Sequence, residues 1–186
     1  MTVTVDSRRR SARTLERDHP GALLLDVTSK ADEPWVAFSP FYPHGDIPVP
    51  FSPGATSETV EGIWQALKVF KSDDVDPAKL QVSTMKGIKR TVRRFGPVLG
   101  HRQGLAGEQL LPYVQARHLI YLPSYRWVLE HKVHQLVQEL RNLAADHDVV
   151  LLDYTTNADL DDPSTPLSHA ALLRRYIDDD WPAESA

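Results

Sequence analysis

The chain has 186 residues, 21 Lys and Arg against 25 Asp and Glu for a net charge of −4, and no cysteine. That length suits one domain with a full core, and the missing thiol excludes disulfides, thiol catalysis and Cys-ligated zinc. No apolar run approaches the ~20 residues of a membrane span, and the Arg8, Arg9, Arg10, Arg13 cluster lacks the apolar region of a secretory signal, so a cytoplasmic setting without a membrane partner is expected.

In chain order, residues 1–19 are polar and Arg-rich and read as a loose N-terminal arm. A domain is expected over 20–178, and 179–186 reads as a frayed tail. Residues 22–27 and 35–38 are short apolar runs that predict strands. Five prolines between 40 and 53 deny regular pairing and predict a stiff, extended loop carrying Phe41, Tyr42 and His44. Ser57 then N-caps a helix running to Phe70. Asp76-Pro77 starts a short helix. A basic segment from Lys86 to Arg94 puts Lys86, Lys89, Arg90 and Arg93 on adjacent turns and ends at Gly96-Pro97. Residues 108–121 read as helical, and a long helix runs from Pro123 to about His147. An apolar strand over 148–154 and a polar turn over 155–159 lead to a last helix over 169–177.

The helix from Ser57 carries the most information. Val60, Ile63, Leu67 and Phe70 share one stripe with Trp64 at its edge, while Gly62, Ala66 and Val69 cover the back. Glu61, Gln65 and Lys68 occupy the narrow remaining sector. The pattern fits a buried helix with one polar seam; an ordinary amphipathic helix with Glu61 and Lys68 in water is the competing reading. No acidic residue falls between Pro77 and Gly107, whereas the chain from Asp146 onward is mostly acidic. A basic face beside an acidic strip suggests an anionic ligand held near carboxylates, with Lys89, Arg90 and Arg102 as phosphate contacts. His131 and His134 have a spacing that zinc sites use, but with no Cys and no Glu-x-x-His pattern no metal is expected.

The run Thr59-Val60-Glu61-Gly62-Ile63-Trp64-Gln65-Ala66-Leu67-Lys68 resembles the T-V-E-x-x-(aromatic)-Q-A-x-K helix of the YbiA-like, or NADAR, superfamily. Phe38-Ser39-Pro40-Phe41-Tyr42-Pro43 resembles its L-S-N-F-Y-P segment, and Lys86-Gly87-Ile88-Lys89-Arg90 and Gly100-His101-Arg102 resemble forms of A-K-x-x-G-R. The late helix with Lys132, the strand ending at Asp153 and the closing helix from Pro166 to Arg175 follow in the family's order. Asp153 stands where the family usually has Glu, and Asp159 is not followed by the Trp-Gly of D-x-x-W-G, which marks a divergent branch. The resemblance implies an α+β, helix-rich YbiA-like domain with a small β-sheet, and chemistry on NAD- or ADP-ribose-like compounds.

N-glycosidic cleavage passes through an oxocarbenium-like state and needs acid/base groups at one sugar. The catalytic candidates are Glu61 and Asp159, whose roles the resemblance implies, with Lys68 either orienting the ribose or forming an imine with the opened sugar. Phe41, Tyr42, Trp64, Gln65, Lys89, Arg90, Arg102 and Asn157 are the substrate-binding candidates. The expected activity is an N-glycosidase hydrolysing a phosphorylated ribosyl or ADP-ribosyl compound, without a cofactor and with nucleic acid as one carrier of the substrate. The alternative is a non-catalytic module that binds NAD or ADP-ribose. A nucleic-acid contact protein using the basic segment is a third reading, which predicts binding that weakens steeply with salt.

Overall fold

The computed structural model describes residues 2–184 and has an α+β architecture of short helices and small sheets. Among the described residues its contacts group into two compact units, one of 2–39 with 133–182 and one of 40–132 with 183–184.

The first unit is built on a parallel sheet in the order β1-β8-β2, from β1 (Val3–Ser7), β2 (Leu23–Asp26) and β8 (Val149–Asp153). Every residue of the central β8 is buried, as a parallel strand covered on both faces requires. Leu15 on α1 (Ala12–Asp18) packs with Val150, Leu152 and Leu24. The unit also holds α6 (His134–Asp146) and α7 (His169–Ile177). Ala170 to Leu173 of α7 are buried.

The loose arm expected over 1–19 is therefore corrected: it supplies β1 and α1. Val3 pairs with Val149 and Val5 with Leu151, partners more than 140 residues away that local composition does not reveal. Two of the clustered arginines are also ion-paired. Arg8 pairs with Asp26 at 2.5 Å, and Arg10 pairs with both Asp6 and Asp18. Residues 35–38 are a 3-10 turn instead of a strand, with the Trp35 and Phe38 rings stacked at 6.1 Å. The tail is tied down as far as it is described. The Asp180 amide donates to Arg175 O at 2.8 Å, and Trp181 meets Tyr176 edge to face. Residues 185 and 186 of the expected frayed segment lie outside the described residues.

In the second unit, β3 (Ile47–Pro48) and β4 (Thr56–Ser57) form a small antiparallel ladder, so the proline-rich stretch does pair, at an edge where a proline is tolerated. The helix α2 (Val60–Leu67) follows, then β5 (Lys68–Phe70), a 3-10 turn (Pro77–Gln81) and α3 (Val92–Phe95). A second antiparallel sheet, β5-β6-β7, is completed by β6 (Val98–Arg102) and β7 (Leu110–Leu111). After β7 come α4 (Tyr113–Ala116), a π-helical turn (Arg117–Tyr121) and α5 (Leu122–His131).

Three helical expectations are corrected here. The basic helix over 86–94 shrinks to α3, because Met85 and Gly87 adopt positive φ and Ile88 and Arg90 turn inward. The helix over 108–121 begins as β7. The long helix ends at His131 and a new one starts at His134, with Val133 outside helical geometry.

Candidate functional site

All eight residues of α2 are buried, which decides between the two readings of its polar sector. Thr59, not Ser57, is the N-cap, its hydroxyl accepting from the Gly62 amide at 2.8 Å. Ser57 is buried and donates to Thr59 O at 2.9 Å and Leu80 O at 3.2 Å. Gly62 is where the 3-10 turn presses against the helix: a Cβ there would lie 2.8 Å from Lys79 O. The helix then stops at Leu67, three residues before the periodicity predicts. Lys68, Val69 and Phe70 leave it extended to pair with His101, Gly100 and Val98 of β6.

A helix that ends inside a protein leaves carbonyls without partners. Arg90 answers that need. Its Nη1 donates to Gln65 O at 3.1 Å and Lys68 O at 2.5 Å, and its Nη2 to Asp73 Oδ2 at 2.8 Å and Asp74 O at 2.6 Å. The guanidinium lies 4.9 Å from the Phe70 ring centroid and 5.2 Å from that of Phe95, and the side chain is 1% exposed. The phosphate-binding expectation for Arg90 is thus corrected: its terminal donors are spent within the fold, Nη1 on the carbonyls at the end of α2 and Nη2 on Asp73 and the Asp74 carbonyl. Arg102 is similarly engaged. Its Nε and Nη2 grip the Asp74 carboxylate at 3.0 and 2.8 Å, beside a cleft of about 260 Å³ bounded by residues 105–108.

What α2 and β5 hold together is an acid and an amine, neither of them in bulk water. Glu61 is 8% exposed; its Oε1 accepts from Gln65 Nε2 at 2.8 Å. Burial pushes the Glu61 carboxyl above the usual range, against the opposing pull of Gln65, Lys68 and Lys89. Gln65 is fixed in turn, its Oε1 accepting from the Arg90 amide at 2.9 Å. Lys68 sits half-buried with its ammonium 5.9 Å from the Trp64 ring centroid. Burial lowers its pKa, with Lys89 and Arg90 pushing the same way and Glu61 opposing. Both groups are displaced toward their uncharged forms, and each feels the other's charge. Lys89 is exposed, its Nζ 5.2 Å from the Phe41 ring centroid, while Tyr42 packs on His44 at 4.8 Å.

Residues that the sequence did not single out surround Trp64. The His101 ring lies 3.7 Å from it, and Tyr113 and Tyr121 meet it edge-on at 5.6 and 5.8 Å. Tyr121 closes the π-helical turn, a distortion often found at functional sites. Arg117 of that turn is 1% exposed and lies 4.7 Å from the Tyr113 ring centroid. Only strand pairing and a helix defect create this cluster, so no local motif announces it.

Asn157 and Asp159 belong to the other unit. Asn157 organises the loop after β8: its Nδ2 donates to Asp162 O at 3.2 Å and Thr165 O at 3.1 Å, and its Oδ1 accepts from the Asp159 amide at 2.9 Å. The Asp159 side chain is exposed and accepts from the Asp161 amide at 2.9 Å. At the end of β8, Asp153 Oδ2 accepts from Ser168 Oγ at 2.8 Å and from His169 Nδ1 at 3.0 Å. His169 Nε2 donates to Val27 O at 2.8 Å while Nδ1 faces the Asp153 carboxylate, two acceptors that favour the protonated ring. Burial alone would depress its pKa, but Asp153 raises it overall. Burial likewise works to raise Asp153, yet His169, Ser168 and the Tyr154 amide hold it at about 2. This pair anchors α7 to β8.

Among the described residues, no group of three or more His, Cys, Asp or Glu is placed to hold a metal ion, and no helix is long and apolar enough to cross a membrane. His131 is turned inward on its own helix, its Nδ1 donating to Trp127 O at 2.9 Å. Fold and site together describe an α+β protein with a desolvated acid and amine beside an aromatic cluster. Residues 7–173 match one family model, and the chain belongs to that family, described as a family of unknown function (DUF6939). No curated protein matches the chain.

Proposed function

We propose that this protein is an N-glycosidase acting on a phosphorylated ribosyl or ADP-ribosyl compound, with Glu61 and Lys68 at the reacting sugar. The observation that carries this reading is a buried carboxyl on α2 and a half-buried amine on the strand that follows it, each pushed by burial toward its neutral form. Such displacement is what general acid and amine nucleophile chemistry near neutral pH requires. The resemblance of α2 to the YbiA-like helix supports the same reaction class and the same fold family.

In the proposed cycle the neutral Lys68 amine attacks C1′ as the C1′–N bond breaks. Glu61 in its acid form gives its proton to the departing base. The ring oxygen then takes one of the two protons on the Nζ ammonium as the C1′–O bond opens, leaving a protonated imine between C1′ and Nζ. Water adds to that imine, Glu61 as carboxylate takes a proton from it, and the sugar leaves as the free aldehyde with Lys68 regenerated. Gln65 holds Glu61 through the Nε2–Oε1 bond, and the buried Trp64, packed on His101, backs the Lys68 amine. Lys89 is the exposed cation left for phosphate, since Arg90 and Arg102 are engaged elsewhere.

The test is release of free base from ribosyl phosphates and ADP-ribosyl compounds, followed by chromatography. Glu61→Gln is expected to slow release by about 10²–10⁴, the span of a general acid's contribution. Asp159→Asn in the same assay measures the role the resemblance gives that residue. Tight binding with no base released by the unaltered protein would favour the non-catalytic NAD or ADP-ribose module.

A further inference from the structure

The first unit carries a groove that the glycosidase reading leaves unused. It has a volume of about 410 Å³ and is lined by α6, α7 and the start of β1. That is room for a small metabolite. Val3, Ala144 and Ile177 give it an apolar lining, and Ala145 adds a second small side chain from α6. Two arginines line it as well, Arg141 from α6 and Arg174 from α7.

Neither guanidinium is used up by the fold. Arg141 donates through Nη2 alone, to Tyr176 O at 3.0 Å and Asp179 Oδ1 at 2.8 Å. These bonds fix the side chain across the two helices and leave Nε and Nη1 without a partner among the described residues. Arg174 meets only Asp178, Nε to Oδ2 at 3.4 Å, which is long for a charge-assisted bond. Both of its terminal nitrogens, the fork that suits a phosphate or carboxylate, are unpaired among the described residues. Arg102 in the other unit is the contrast, with Nε, Nη1 and Nη2 all engaged. The acids facing the two arginines are Asp178, held only by that long contact, and Asp179, whose side chain is 85% exposed. Thr2 also lines the groove, but its amide and hydroxyl both go to Asp148 Oδ1, at 2.9 and 3.1 Å. The unspent polar capacity of the groove is therefore cationic.

We propose that this groove binds a small oxyanion-bearing metabolite: its phosphate or carboxylate sits between Arg141 and Arg174, and its compact apolar body lies against Val3, Ala144 and Ile177. The ligand takes the Arg174 fork, which Asp178 leaves open, and the free Nε and Nη1 of Arg141.

The experiment is isothermal titration calorimetry of the full chain with butyl phosphate and with hexanoate, and with inorganic phosphate as the probe lacking an apolar body. Saturable binding is expected for at least one of the first two, tighter than for inorganic phosphate, and the tighter of the pair identifies the oxyanion. Arg141→Met and Arg174→Met are each expected to weaken it by about tenfold to a hundredfold, the effect of hydrogen bonds to a charged group. Arg141→Met also loses a tie to α7, so Arg174→Met decides if that variant fails to fold. Ala144→Phe fills the groove without changing charge and is expected to abolish the advantage over inorganic phosphate. Asp178→Asn is expected to tighten binding, whereas Asp146→Asn, the same charge change at the exposed end of α6, is not. No saturable binding of either probe at millimolar concentration overturns the proposal, as does an affinity unchanged in Arg174→Met. An equal gain in both Asp variants reduces the attraction to bulk charge, and a loss confined to Lys89→Met moves the ligand to the other unit; either result contradicts the assignment.

Discussion

Replacing Arg90 by Met separates the architecture described here from the phosphate-binding role that the basic segment suggests. Met preserves the aliphatic stem between Phe70 and Phe95 but deletes every donor. Asp73 is 40% exposed at its side chain and rehydrates at little cost. Gln65 O and Lys68 O, the carbonyls at the end of α2, instead lose the donor that caps them. Two such orphaned acceptors cost about 1–3 kcal/mol each, roughly 2–6 kcal/mol together. For a chain of this length that lowers the melting temperature by about 4–24 °C. Urea denaturation followed by circular dichroism measures it, with the slope of the transition checked for loss of cooperativity. A loss below about 1 kcal/mol, with nucleotide affinity weakened instead, would refute the capping argument and return the guanidinium to phosphate.

Further expectations concern both units. Gly62→Ala forces a methyl against Lys79 O and should destabilise by about 1–3 kcal/mol through overpacking; a thermal melt within 1 °C of the unaltered protein argues against the close approach. Deleting residues 1–8 removes β1 from its sheet, including the Arg8 amide bond to Asp153 O at 2.8 Å, and should lower the urea midpoint sharply, whereas a dispensable arm leaves it unchanged. The Asp153–His169 pair predicts two pH limits. His169 has a folded pKa raised above its ordinary 6.5, so its contribution is complete below 6.5 and lost as pH rises through the folded value. Asp153 is lowered from 3.8 to about 2, so its contribution is present above 3.8 and lost as pH falls toward 2. Urea midpoints from pH 2 to 9 should show both limbs, and His169→Gln should flatten the alkaline one; a profile identical in the variant removes the pair from the account.

What could be read ahead of the structure was the short-range information. The buried character of α2 followed from its crowded apolar circumference. The Asp76-Pro77 start was likewise local: the Asp76 side chain accepts from the Ala78 amide at 3.2 Å. The closing helix over 169–177 was also legible, and the structure adds its Ser168 cap, whose hydroxyl accepts from the Ala171 amide at 3.2 Å. Features set by distant partners were not legible. Val3-Thr4-Val5 becomes a strand only because β8 offers it a neighbour, and α2 stops at Leu67 because β6 claims Lys68 to Phe70. The same limit applies to the site. Glu61, Gln65 and Lys68 were found by helical spacing, although Lys68 arrives from a strand. Arg90 was misread because charge pattern alone does not distinguish a cation aimed at a ligand from one capping a helix. Tyr113 and Tyr121 went unnoticed, and His101 entered only within the Gly100-His101-Arg102 segment, because tertiary pairing brings them to Trp64.

The claim on which the functional account turns is that the Lys68 amine bonds to a ribose whose base has left with a proton from Glu61. Incubation with a ribosyl phosphate or ADP-ribosyl compound in the presence of borohydride, followed by peptide mass mapping, addresses it directly, because reduction fixes an imine as a stable amine. The account predicts a sugar adduct on the peptide holding Lys68, dependent on substrate, lost in Lys68→Met and strongly diminished in Glu61→Gln. Base release without any adduct, or an adduct that survives on Lys89 after Lys68 is replaced, contradicts it.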